Sequence, residues 1–567
     1  MSPARRYLVI ALVYVAIVLG HIVAFRKTYE FPYFVTDAVQ YVVTAQNIAG
    51  GQGYMVRGQF NSTNPPLYPA FLSATIAQSV DPMWPAFVWQ CIVIGLVVFP
   101  AYLLAREVGL PFGVSVVLGA AAGLLPHTFF CAIYMTEVLQ YPLWLWGCLL
   151  AHRWLRAPTL SGGVWLGIVL SLLMWNKVNS ALLVIPMVVA CAVKAAGEAR
   201  RGAIVRMIVP ALAILCVTQG AWLLYKTAHG GNALGLYGSA ARESADLPFS
   251  LPLFVAYAFD FFLASGFLCV VPAVYFLGRR WQTERPVVLF YGILFAVQIG
   301  WIGVYDGGLA GFVRERLMSF SFPVVAILAT RGFVDLQADG PRRWRYWFAG
   351  VPFVFLLGLT WRNAAEFTAF ETPWAFALSG WFVPALASQA KTVLVVSSLG
   401  VFALGAAVCL LAGARRATVA FGVFILVCHS GALASTAIFG GRHAELSMER
   451  ESESLRWLHA HGAGYGARVL VVSNAAAWEL RPAVDPSDGL LRGCAHGGGA
   501  DPLAPARLET ILRWDVRTVC TAKEIERVGR PGDLLLAEED LAALPGLRPV
   551  AALPGTARRL YQISGAR

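Results

Sequence analysis

Apolar runs recur along the chain at 7–25, 86–105, 112–129, 138–155, 162–177, 179–197, 204–225, 251–277, 286–305, 316–331, 346–361, 391–412 and 417–438. A helix that crosses a bilayer needs about 20 mostly apolar residues, and each run meets or approaches that length. The pattern predicts an α-helical polytopic membrane protein with about thirteen transmembrane helices. The fifth and sixth runs are so close that either two spans or one broken helix fits them. Residues 26–85 between the first two runs are too polar to span. Within them Ala38, Tyr41, Val42 and Ala45 repeat at i, i+3, i+4 and i+7 while Asp37, Gln40 and Gln46 are polar, the pattern of a helix lying in the interface. Gly50, Gly51 and Gly53 end it, and after Pro65 and Pro66 the stretch LYPAFLSATIA reads as a second helix, again too short to span.

After about residue 440 the pattern changes. SESLRWLHAH reads as an amphipathic helix; RVLVVS at Arg468–Ser473, Val516–Thr521 and DLLLA at Asp533–Ala537 read as strands, and Arg558–Ile563 as an edge strand. The expected division is a membrane domain over 1–440 and a small α/β domain over 441–567. No Gly-x-Gly-x-x-Gly follows a strand, so a nucleotide-binding reading lacks its phosphate loop.

Composition sharpens this picture. Of 567 residues, 58% are hydrophobic and 13% charged, against roughly 25% charged in an average soluble domain, which excludes a water-soluble enzyme of this size. Lys and Arg number 44 against 32 Asp and Glu, a net charge of +12. In a membrane protein that excess is an orientation signal, and nucleic acid is not expected as a partner. With the N-terminus in the cytoplasm, Arg106, the 152–156 stretch, the 194–206 stretch, Arg279 with Arg280, the 331–345 stretch and Arg415 with Arg416 all fall on the cytoplasmic side. An odd number of spans then puts the C-terminal domain outside. Arg5 and Arg6 precede a first run without a small-residue cleavage site, so that run reads as a retained span. The ten cysteines fall mostly in apolar runs and form no framework; Cys494 and Cys520, both in the tail, are available for a disulfide in an oxidising compartment.

The candidate chemistry lies on the external side. Asp37 opens the first interfacial helix, where a carboxylate suits a helix N-terminus and equally suits a base held at the membrane surface. Glu137 starts the fourth run and invites the same two readings. Arg314, Arg316 and Lys177 stand at external ends of runs, against the positive-inside trend; they are either headgroup-snorkelling cations or a site for an anion. Tyr41, Asn64 and Tyr68 are placed either to pack the first loop or to line a sugar pocket. His127 precedes the same external loop as Glu137 and is a further candidate to pair with it. No acids cluster at metal-ligand spacing; a divalent cation shared by one carboxylate and a phosphate is the metal use left open.

Three segments in this order, TDAVQYVVTAQNIAGGQGY with NPPLYPAFLSA, then YMTE before the fourth run, then RERLMSFSFP at Arg314–Pro323, together resemble the GT-C glycosyltransferases of the PMT and ArnT type. In that family the last motif reads Glu-Arg-Tyr, apolar residues and Pro; here Glu315, Arg316 and Pro323 keep the spacing and Leu317 replaces the Tyr. Many members carry two adjacent acids where this chain has Asp37 and Ala38. The resemblance implies an inverting glycosyltransferase that moves a sugar from a polyprenyl-phosphate donor to a cell-envelope acceptor, a glycolipid, polysaccharide or protein. It implies Asp37 and Glu137 as the catalytic carboxylates and Arg316, Arg314 and Lys177 as contacts to the donor phosphate. The expected location is the cytoplasmic (inner) membrane of a bacterium. Three other classes compete, one of them a non-enzymatic scaffold whose outer domain binds a partner, which would leave the first-loop acid unexplained. A transporter or flippase of lipid-linked sugars would show matched interrupted spans in two halves, which are not evident here. An O-antigen ligase or polymerase type would concentrate its chemistry in a large late external loop, whereas the loop over 362–390 carries only Glu366 and Glu371 as acids.

Overall fold

The computed structural model describes residues 2–26, 28, 36–56, 59–61, 64–76, 83–197, 201–231, 254, 257, 258, 261, 269–310, 315–338, 416, 418–434 and 436–438, with 468–472, 515–519, 529–537, 541, 542, 546–552 and 559–564 of the C-terminal region. The expected runs at 346–361 and 391–412, the helix SESLRWLHAH, and Cys494 and Cys520 lie outside the described residues.

The first span is α1 (Pro3–Phe25), started by Pro at the first helical position and capped by Ser2, whose side chain accepts from the Arg5 N–H. The second is two helices in series, α4 (Met83–Gly95) and α5 (Val98–Glu107). The third is bent: α6 (Phe112–Gly123) and the 3-10 helix Pro126–Ala132 meet at 50°. There follow α7 (Glu137–Arg156), α8 (Leu160–Asn176), α9 (Val184–Gly197) and α10 (Arg201–Ala228). Then come α11 (Val270–Arg280), α12 (Arg285–Ala310), α13 (Phe322–Ala338) and α14 (Thr418–Ile438). Among the described residues six helices are long and apolar enough to cross a membrane, or seven if the bent pair is one span. The close fifth and sixth runs are separate helices, divided at Lys177, whose φ −156 and ψ 125 are extended.

Lipid accounts for the surface. Tyr7, Leu8, Leu12, Val15, Leu19 and Val23 of α1 are exposed, as are Val209, Val217 and Leu224 of α10; on a soluble monomer such a surface would drive association. Inside, α7 is buried along most of its length, and α13 packs on α11 as α8 packs on α10. Small residues permit these approaches, as bilayers favour because lipid supplies no hydrophobic drive between helices. A Cβ at Gly332 would collide with the Pro272 carbonyl oxygen, and one at Gly167 would come within 2.7 Å of Ala211 Cα. Gly332→Ala is therefore expected to lower the melting temperature of the purified protein by far more than Gly278→Ala, where nothing stands within 4 Å. Equal melting curves for the two variants would contradict this packing.

Both expected first-loop helices are present, α2 (Thr36–Ala49) and α3 (Leu67–Ile76), packed on one another. Between them a two-stranded hairpin, β1 (Met55–Val56) with β2 (Gln59–Phe60), was not evident in the pattern. In the C-terminal region β3 (Arg468–Val472), β4 (Asp515–Val519), β5 (Leu534–Ala537), β6 (Leu547–Ala552) and β7 (Arg559–Ile563) form one mixed sheet in the order β4-β3-β5-β7-β6. One expectation is overturned here. The strand at Arg559–Ile563 is interior, with Leu560 and Tyr561 buried, and among the described strands β4 stands at one edge and β6 at the other. That strand escapes a sequence reading because Pro549 interrupts it; Pro is tolerated at an edge and at a bulge, and β6 has both, its register slipping between Pro549 and Ala551.

Candidate active site

Helix α7 begins at Glu137 because of what precedes it. Tyr134 is fully buried in a left-handed conformation, φ 56, which costs an aromatic residue on the order of 1–3 kcal/mol and persists only where the surroundings enforce it. That reversal ends the bent third span and delivers Met135, Thr136 and Glu137 into the protein interior. Glu137 is 0% exposed, where an isolated carboxylate would be prohibitively costly. Lys177, set free at the break between α8 and α9, donates from Nζ to Glu137 Oε1 at 2.6 Å, and Thr136 Oγ1 lies 3.2 Å from Oε2. Arg316 is close enough for its charge to act on the same carboxylate. Three of the charged residues singled out by sequence are thus brought together at one end of α7.

Arg316 occupies the 3-10 turn Glu315–Leu317 and is 9% exposed. Of the two readings left open for this cation, burial speaks against snorkelling to the surface. The cause is the second turn, Ser319–Ser321, which folds the RERLMSFS segment into the core before α13 starts. Its anchors are side chains that the sequence did not mark. Tyr141, one turn beyond Glu137 on the same face of α7, hydrogen-bonds Ser319 Oγ, and Ser319 Oγ donates to the Arg316 carbonyl at 3.0 Å. Gln298 of α12 donates to the Met318 carbonyl at 3.3 Å, and Trp144 packs on Phe320 with ring centroids 4.3 Å apart. The other side of Glu137 is braced by Asn176, which donates to the Thr136 carbonyl at 2.8 Å and to Gln140 Oε1 at 3.1 Å, and by the Gln140 to Ser180 bond of 2.9 Å. These polar residues sit within apolar helices, and the only sign of them in the sequence is their cost: a Gln or Asn in a span is expensive unless satisfied.

The first loop covers this end of the bundle. Tyr68 of α3 is fully buried, donates to Gln90 Oε1 on α4 and meets Tyr41 of α2 edge-on at 5.2 Å. Burial, then the neighbouring Tyr134, Tyr41 and Glu137, push its phenol well above its ordinary pKa, so it stays a hydrogen-bond donor and not a base. Asn64 is buried and donates to Gln40 Oε1 at 2.5 Å, while Tyr54 donates to the carbonyls of Asn64 and Pro65, each at 2.9 Å. The contacts described for Tyr41, Asn64 and Tyr68 hold the loop together and dock it on α4. Asp37 lies in the first turn of α2, and the position of its side chain, like all of Arg314, falls outside the described residues. His127 stands among aromatic rings, stacked on Phe130 and edge-on to Tyr141 and Phe322. Among the described residues no three His, Cys, Asp or Glu side chains are grouped so as to hold a metal ion.

No family model matches the sequence, and no curated protein matches it. Solved structures do. The crystal structure of ArnT from Cupriavidus metallidurans bound to undecaprenyl phosphate is similar over 98% of this chain and 99% of that one, with a TM-score of 0.55 at 14% identity. The apo form of the same protein is similar over 100% of both chains, with a TM-score of 0.53 at 14% identity. The archaeal oligosaccharyltransferase AglB from Archaeoglobus fulgidus, in complex with an inhibitory peptide and a dolichol-phosphate, gives a TM-score of 0.38 at 14% identity over 69% of this chain and 60% of that one. The described residues therefore share the polytopic membrane fold of the ArnT structures.

Proposed function

We propose that this protein is an inverting glycosyltransferase that moves a sugar from a polyprenyl-phosphate donor to a cell-envelope acceptor, at the extracytoplasmic face of a bacterial cytoplasmic membrane. The observation that carries the reading is the convergence of Glu137, Lys177 and Arg316 at the end of α7, beneath the first-loop helices, in a fold shared with a protein solved with undecaprenyl phosphate.

In the reaction the acceptor hydroxyl oxygen attacks the anomeric carbon, the bond from that carbon to the phosphate oxygen breaks, and polyprenyl phosphate leaves with the electron pair. The acceptor's proton goes to Asp37 as general base. A phosphate leaves as a stable anion, so a second carboxylate acting as acid, usual in glycoside hydrolysis, is not required. Cationic stabilisation is required. Lys177 is committed to Glu137, which makes Arg316 the principal contact to the leaving phosphate, with Arg314 two residues before it in support. Glu137 then acts as a positioning residue: its carboxylate holds Lys177 and orients the positive field of the pair of cations. The soluble domain over 441–567 is assigned to the extracytoplasmic side on the loop charges alone.

Transfer of a radiolabelled sugar from a polyprenyl-phosphate donor by the purified protein tests this. Arg316→Ala is expected to lower kcat/KM about 10- to 100-fold, the value of one charge-assisted hydrogen bond. Arg316→Lys should keep part of the activity, since a point charge remains without the planar fork. Because Arg316 is buried near Glu137, melting curves accompany both variants. A folded Ala variant with unchanged turnover would remove Arg316 from the site.

A further inference from the structure

The opposite end of α7 carries a second polar cluster, separated from Glu137 by the length of a 20-residue helix, about 30 Å at 1.5 Å per residue. Here the ends of α5, α7 and α11 and the start of α12 converge on α13 around a pocket of about 160 Å³ lined by Glu107, His152, Arg156, Arg280, Glu284 and Arg331. The arginines are only partly engaged. Arg280 Nη1 lies 2.5 Å from Glu284 Oε1, Arg156 lies 4.0 Å from Glu284 Oε2 through Nε and donates from Nη1 to the Glu107 carbonyl at 3.2 Å, and Arg331 donates to the Gly109 carbonyl at 3.2 Å and to Asp335 Oδ1 at 2.8 Å. The Glu107 carboxylate is held by Arg153 at 2.7 Å, a residue that does not line the pocket. Each guanidinium has five N–H donors, so these bonds leave donors unspent.

Two of the groups at the pocket are buried without a hydrogen-bond partner among the described residues, Arg331 Nε and His152 Nε2. His152 is 0% exposed. Its Nδ1 is 3.2 Å from the Tyr291 hydroxyl; when it accepts that proton, Nε2 carries the ring hydrogen and is a donor. Leaving a buried donor unsatisfied is costly, and such a group in a folded protein calls for an explanation. An anion in the pocket would be a partner for these donors and for the guanidinium N–H groups that the ion pairs leave over.

We propose that this pocket binds a phosphate group, supplied by the headgroup of an anionic phospholipid in the leaflet on this side of the membrane. The site lies where the arginine-rich loops place the cytoplasmic surface, and basic pockets between span ends suit such headgroups. It is independent of the glycosyl-transfer site, whose residues are at the far end of α7.

The test uses the full-length protein in neutral detergent, its melting temperature followed during titration with phosphatidylglycerol, with diacylglycerol and with inorganic phosphate. Phosphatidylglycerol is expected to raise the midpoint saturably, and diacylglycerol, which has the tails without the phosphate, to leave it unchanged. Arg156→Gln, at a side chain 46% exposed, should need about tenfold more phosphatidylglycerol for the same rise, whereas Arg6→Gln, at the start of α1 and not among the residues that line the pocket, should not. If Arg156→Gln does not fold, Arg156→Lys, which keeps the charge and loses the fork, is expected to weaken the effect severalfold. An equal rise with inorganic phosphate would make a free phosphate the source and overturn the lipid assignment. No saturable rise with either phosphate compound, an equal response to diacylglycerol, or equal weakening by the Arg6 and Arg156 variants would overturn the site.

Discussion

Asp37→Asn is expected to lower glycosyl transfer by about 10²- to 10⁴-fold, the usual contribution of a general base, while expression and melting temperature stay close to those of the unaltered protein. The substitution separates two roles that coincide at this position. Asp37 is in the first turn of α2, where a negative charge interacts favourably with the helix dipole, worth roughly 0.3–1 kcal/mol. Asn keeps the size and the hydrogen-bonding oxygen of Asp and gives up only the charge and the ability to take a proton. A purely structural Asp37 would therefore cost at most that small stability term and leave turnover nearly intact. Asp37→Glu keeps the carboxylate but displaces it by one methylene; a large loss there too would show that the base must be held in place as well as charged. The measurement is transfer of a radiolabelled sugar from a polyprenyl-phosphate donor to the acceptor, run beside a melting curve. Near-normal transfer by the Asn variant would end the assignment of Asp37 as base and turn attention to Glu137.

The parts of this molecule that were legible in the sequence are those where a whole segment shares one property. The spans from α1 to α10 were readable because bilayer thickness imposes a length on apolar runs, and α2 and α3 because one is amphipathic and the other brief. Strands β3, β4 and β5 were readable as short runs rich in Val and Leu. What escaped depends on single residues. The burial of Arg316 follows from two 3-10 turns that no periodicity signals, and the left-handed Tyr134 carries no sequence mark because a bulky residue there is unfavourable by any local rule. Lys177 was visible as a cation that violates the orientation trend, yet its partner was 40 residues away in Glu137, a pairing fixed by the packing of α7 on α8. Tyr141, Ser319 and Gln298, which hold the Arg316 turn, look like ordinary members of apolar helices until the chain is folded.

Lys177→Met is the second large effect, and it falls first on stability. The pair is buried unequally: the Glu137 side chain is 0% exposed and that of Lys177 12%. Breaking a buried ion pair by removing one partner typically costs about 3–5 kcal/mol, because a charge is left without compensation, whereas replacing both members by neutral groups is often close to neutral. Arg316 also acts on the Glu137 carboxylate, so the single variant should lie toward the lower end of that range, seen as a clear drop in melting temperature. Adding Glu137→Gln should restore most of it, since Gln can still accept from Thr136 and carries no charge to strand. The double variant then separates structure from function. If the pair orients the cationic side of the site, the restored protein remains poorly active, with donor use impaired more than folding. If Glu137 and Lys177 serve only to knit α7 to the α8 break, activity returns with stability. A single variant as stable as the unaltered protein would mean that the carboxylate is already neutralised without Lys177, and the weight would shift to Arg316 alone as the charge that keeps Glu137 ionised in the interior.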